Sequence, residues 1–119
     1  MKVLKKSDFL QMPAGTIFSI GEQWAFEGFY FKGESWMESG DFLFIDMTDI
    51  GADSSEQRVA YLQDSLNNGS SCWINHDVSR DGMHNDDDLF LVYEERDLQI
   101  LHGWIIAALQ TIKMRKVIG

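Results

Sequence analysis

A single cysteine, Cys72, stands among 119 residues, so an intramolecular disulfide and a cysteine-rich zinc site are both excluded. Proline is as scarce, with Pro13 alone. No Pro/Gly/Ser-rich linker or internal repeat divides the chain, which reads as one domain over residues 1–119. Hydrophobic runs are short: the longest, Gly103 to Leu109, falls far below the roughly 20 residues that a membrane span needs. The early lysines Lys2, Lys5 and Lys6 have no apolar stretch behind them, so a cytoplasmic location is expected and a secretory leader is not. Basic residues are the last shortage. Lys plus Arg total 10 against 19 Asp plus Glu, a net charge of −9. A protein of that sign lacks a basic face for phosphates, so neither direct nucleic-acid binding nor anionic-membrane binding is expected.

What is present is an ordinary globular balance, with 45% of the residues hydrophobic and enough length to bury one core. Ser7 to Met12 predicts a helical turn, which Pro13-Ala14-Gly15 ends. Strand-like runs follow at Thr16–Ile20, at Trp24–Lys32 with Gly28 as a bulge, and at Asp41–Met47, where apolar residues on both parities suit a central strand. Ser54 and Gln57 have capping-box spacing, and Val59, Leu62 and Leu66 repeat behind them at helical period. Asn68-Gly69-Ser70 fits a glycosylation sequon but reads as the turn that closes this helix. Cys72–Asn75 and Leu89–Glu94 read as two further strands.

From a cap at Asp97 to about Val117, a last helix carries Leu98, Leu101, Ile105, Ala108, Leu109 and Ile112 in one stripe, widened by Ile100, Trp104 and Ala107. An arc that broad predicts a helix lying deep across the sheet, or else a homodimer through the C-terminal helix. The expected class is α+β: about five mostly antiparallel strands, two main helices packed on the sheet, and a short N-terminal helical turn.

The charge is segregated. Residues 1–32 are net +1 and residues 96–119 net +3, whereas residues 33–95 set two Arg against fifteen acids, net −13. Apolar strands and a capped helix run through that block, so its carboxylates sit on an ordered frame. A fixed carboxylate array attracts basic surfaces and occupies sites meant for phosphate. The expectation is a non-catalytic acidic protein that engages a basic, nucleic-acid-handling partner. Its partner-binding carboxylates would be Asp77, Asp81, Asp86, Asp87 and Asp88, with Glu34, Glu38, Asp41, Asp46, Asp49 and Asp53.

Read as twelve positions, the segment from Asp77 to Asp88 places Asp77, Ser79, Asp81, Asn85 and Asp88 at 1, 3, 5, 9 and 12 with Gly82 at 6. This spacing resembles the EF-hand calcium loop, and a divalent-metal module is the alternative reading. Asp88 replaces the bidentate glutamate, Arg80 adds a positive charge, and the flanks read as strands. His76 and His84 flank the same segment as candidate transition-metal ligands, although exposed loop histidines are the simpler account.

Catalytic signatures are missing: there is no phosphate-binding glycine loop, dinucleotide fingerprint, nucleophile elbow or His-Glu-x-x-His. Cys72 and His76 lie four residues apart, about 13 Å along a strand, too far for a thiolate–imidazole pair. Glu34, Glu38 and Asp41 recur at spacings that so many acids produce by chance. No enzyme is expected, and an unrecognised small hydrolase is the second alternative. Trp24, Phe26, Phe29, Tyr30, Phe31, Trp36, Phe42 and Phe44 read as core, with some rings left as interface anchors.

Two stretches, Phe9-Leu10-x-Met12-Pro13-Ala14-Gly15-Thr16-Ile17-Phe18 and Arg80-Asp81-Gly82 with Asp87-Asp88-Leu89-Phe90-Leu91-Val92-Tyr93-Glu94, resemble small uncharacterised proteins of phage and prophage type. They cover about a fifth of the chain and carry no catalytic role. The resemblance implies a genomic setting in which small acidic proteins often inhibit host factors, defence nucleases among them, some as nucleic-acid mimics.

Overall fold

The computed structural model describes residues 1–82 and 86–118. Strands β1 (Lys2–Lys5), β2 (Ile17–Glu22), β3 (Ala25–Trp36), β4 (Asp41–Asp46), β5 (Val78–Arg80) and β6 (Leu89–Val92) form one antiparallel sheet in the order β1-β6-β2-β3-β4-β5. Three helices complete an α+β fold: α1 (Lys6–Phe9), α2 (Ser55–Asn68) and α3 (Glu95–Ile118). No helix among the described residues is long and apolar enough to cross a membrane. β2, β3 and β4 are consecutive hairpin strands, whereas β6 is inserted between β1 and β2, pairing Val92 with Lys2 on one side and Phe18 on the other.

Strand alternation sends Phe18, Phe42, Phe90 and Val92 to one face, and α1 lays Phe9 across them. The Phe9 ring stacks on Phe90 at 4.0 Å and meets Phe18 and Phe42 edge-on at 4.6 and 5.1 Å, so a single one-turn helix covers this part of the core. Lys32 is buried beneath it. Its Nζ donates to Gly33 O at 3.2 Å and Ser35 Oγ at 3.1 Å, while Ser35 Oγ donates to Leu10 O at 2.6 Å. Desolvation holds this ammonium below the ordinary lysine range, against a smaller opposing pull from Glu34.

The bulge expected at Gly28 is present. Phe18 pairs with Tyr30 but Ile20 pairs with Glu27, so two β3 residues oppose Ser19, and Gly28 takes φ +80°. β2 and β3 are joined by Gln23 and Trp24 alone, both at positive φ (52° and 84°).

The strand expected at Cys72–Asn75 is not one. Ile74 makes an isolated bridge to Ile50, and the strand that pairs with β4 lies further on, at Val78–Arg80, inside the stretch expected to be loop. β1 was not expected either, which brings five strands to six.

α2 begins as its spacing predicts, with Ser54 Oγ accepting from Gln57 N at 3.1 Å, although Gln57 Oε1 reaches past the cap to Asp53 N at 2.6 Å. Gly69 closes it in the left-handed conformation, φ 75°. α3 starts two residues before the expected cap, because Asp97 Oδ2 accepts from Glu94 N at 2.9 Å and so caps from within the first turn.

The broad apolar arc of α3 was expected to lie across the sheet. Instead every residue from His102 to Val117 is exposed, and α2 buries none of its own. The molecule is long for its size, 53 × 37 × 25 Å with a radius of gyration of 17.1 Å, where about 13–14 Å is ordinary for this length.

Candidate binding site

α1 covers only half of the core face. Beyond it, Ile20, Tyr30 and Phe44 are half buried, and with Phe18 and Phe42 they floor a cleft of about 240 Å³ edged by Asp46 and Asp81. A wider cleft of about 510 Å³ shares Ile20 and adds Glu22, Glu27 and Asp88. Each charged side chain lining either cleft is a carboxylate.

Strand register explains how these acids converge. Asp46 follows Phe42 and Phe44 at the same parity and stands opposite Tyr30. Glu22 follows Phe18 and Ile20 in the same way, and the Gly28 bulge shifts β3 by one residue so that Glu27 shares a face with Tyr30. Asp81 and Asp88 lie on the segment that links the edge strand β5 to β6, strands that β4, β3 and β2 separate in the sheet.

The local field acts on the ionisable groups that line the clefts. Burial pushes the Asp88 carboxyl up, and the charges of Asp81, Glu22 and Asp87 push it further, with Lys6 opposing. The Tyr30 phenol is raised by burial and then by Asp46 and Glu27. Lys6, itself buried, lies 3.5 Å from Asp81 and 3.8 Å from Asp86, held by charge without a hydrogen bond. It anchors the crossing segment to α1.

Not all of the expected partner-binding acids are on this surface. Asp41 is withdrawn from it: fully buried, its carboxylate accepts from Arg80 Nε and from the N–H groups of Phe42 (2.9 Å) and Gly82 (3.0 Å). Arg80 in turn lies over the Trp36 ring at 5.4 Å, so this set of side chains ties β3, β4 and β5 together and is structural. Asp49 pairs with Arg58 at 2.8 Å. Glu34, Glu38, Asp53, Asp77, Asp86 and Asp87 are exposed, but none lines the two clefts.

Within the calcium-loop spacing, the second to fourth positions, Val78–Arg80, form extended strand paired with β4. Ser79 is thereby fixed opposite Phe44, Asp81 is taken by Lys6, and Asn85 lies outside the described residues. Among the described residues no group of three or more His, Cys, Asp or Glu side chains is placed to hold a metal ion. His84 also lies outside them, and His76 Nδ1 is turned to Ile74 O at 3.3 Å. Cys72 Sγ faces Tyr61 O at 3.7 Å, so no thiolate–imidazole pair forms with His76.

Glu22 and Glu27 are the residues that sequence reasoning missed. The signal was available in the parity of Glu22 with Phe18 and in the phase shift that a bulge at Gly28 imposes on Glu27. Matches to known proteins add nothing further: no family model, curated protein or solved structure matches the chain.

Proposed function

We propose that this chain is a non-catalytic acidic binding protein, of phage type and cytoplasmic, that engages and inhibits a basic nucleic-acid-handling or defence protein of the host. Lysine or arginine side chains of the partner enter the aromatic-floored clefts. The observation that carries this reading is the lining itself, an aromatic floor whose charged neighbours are Glu22, Glu27, Asp46, Asp81 and Asp88.

The chemistry suits a long cationic side chain. Its methylenes pack on Ile20 and Phe44, its charged head lies against the Tyr30 ring, and the carboxylates of Glu27, Asp46 and Asp88 complete its hydrogen bonds. A cation there also relieves the repulsion that raises the Asp88 carboxyl. The rim thus presents to a basic protein the negative field it would otherwise meet on a nucleic-acid backbone.

The test is capture of partners from host lysate, followed by titration of the purified pair. Affinity should fall at least about tenfold from low to physiological salt, and the triple change Glu27→Gln, Asp46→Asn, Asp88→Asn should abolish most of it while the fold is retained. Binding that ignores both salt and the triple change would sink the proposal.

A further inference from the structure

We infer that α3 pairs antiparallel with α3 of a second copy of this chain, about a two-fold axis at Ile105. The helix has 24 residues, roughly 36 Å at the usual rise, and its stretch from Leu98 to Ile112 holds no Asp, Glu, Lys or Arg. Trp104, Ile105, Leu109 and Ile112 in that stretch are 67%, 57%, 51% and 51% exposed. A helix that is apolar over so broad an arc is stable only when something covers it.

The pattern of α3 identifies a second copy as the cover, because it is complementary to its own reverse. Ile105 is the midpoint of the uncharged stretch. With two helices run antiparallel about that residue, Leu98 of one meets Ile112 of the other, and Leu101 meets Ala108 and Leu109, so each layer of the seam is apolar. Beyond the seam, Glu95 falls on the same flank as Lys113 of the second copy, and Asp97 on the same flank as Arg115. A parallel pair would instead bring acid to acid and base to base. Acids at a helix start and bases at its end also suit the helix dipole, but the dipole gives no reason for fifteen uncharged residues, largely in water, between them. Two-fold pairing accounts for both, and it is the isologous form that most dimers take.

The test is separable from the fold's own stability, since Ile105 is 57% exposed and α3 makes no extensive contact with the sheet. Light scattering should give a dimer for the full chain and a monomer for Ile105→Lys at the same concentration, with an unchanged sheet spectrum. Glu95→Lys should weaken the dimer several-fold, and adding Lys113→Glu should restore it. In a Cys72→Ser background, Ile105→Cys should cross-link to itself readily, whereas Ile112→Cys should not, because antiparallel helices hold the two copies of that residue about 21 Å apart. A wild-type monomer at concentrations up to about 1 mM would overturn the inference. So would preferential cross-linking through Ile112→Cys, which reports a parallel pair.

Discussion

Asp41 and Asp88 are both acids shielded from water, Asp41 fully and Asp88 in part, yet their surroundings give them opposite effects on stability. Burial works to raise Asp41, but the bond from Arg80 and two backbone N–H donors outweigh it and hold the carboxyl below its ordinary 3.8. Its contribution is therefore complete above that value and lost as pH falls through the lowered pKa. Asp41→Ala strands those donors and should lower the Tm at neutral pH by several degrees in a calorimetric scan. Asp88 is raised above 3.8 by burial and by like charges, so its ionised form costs stability at neutral pH. Asp88→Asn should raise the Tm by a few degrees at pH 7, and the gain should fade as pH falls through the raised pKa towards 3.8. The sequence distinguishes neither residue, because the distinction arises from Arg80, 39 positions away, and from the return segment.

Among the elements, the β2–β3 connection holds the two non-glycine residues at positive φ among the described residues. Two-residue hairpin turns with both residues at positive φ favour Asn-Gly, and here Gln23 and Trp24 occupy them, with Trp24 81% exposed and packed on nothing that its loss would uncover. Replacing the pair by Gln23→Asn and Trp24→Gly should stabilise the fold by about 1 kcal/mol in denaturant titration. The interior strands were legible because aromatic and β-branched residues mark them: Thr16–Ile20, Trp24–Lys32, Asp41–Met47 and Leu89–Glu94 overlap β2, β3, β4 and β6. The two that escaped, Lys2–Lys5 and Val78–Arg80, are the sheet's edges. Edge strands avoid aggregation by being short and charged, and those traits erase the apolar signature by which strands are read. α2 was legible to within its caps, since Ser54, Gln57 and Gly69 act locally.

At the scale of the whole molecule, the α+β class followed from alternating strand and helix patterns, whereas the net charge said only that carboxylates are plentiful and not which of them line the clefts. Of the acids singled out in the sequence, Asp46, Asp81 and Asp88 line the clefts and Asp41 lies in the interior, while Glu22 and Glu27 line them without having been singled out. The exposure of α3 was out of reach for another reason: an apolar arc records that a helix needs covering and carries no information about which surface does it. The strand order has one more consequence, in time. β6 supplies Phe90 and Val92 to the core and bridges β1 to β2, yet it follows every other strand of the sheet in chain order. The β2–β3–β4 meander is local and quick to form, but the core rings of Phe9 and Phe18 wait for a strand some 70 to 80 residues downstream to slide between two others. Assembly of this sheet is thus gated by a late insertion, and an emerging chain presents its aromatic face to the cell until residue 92 is in place.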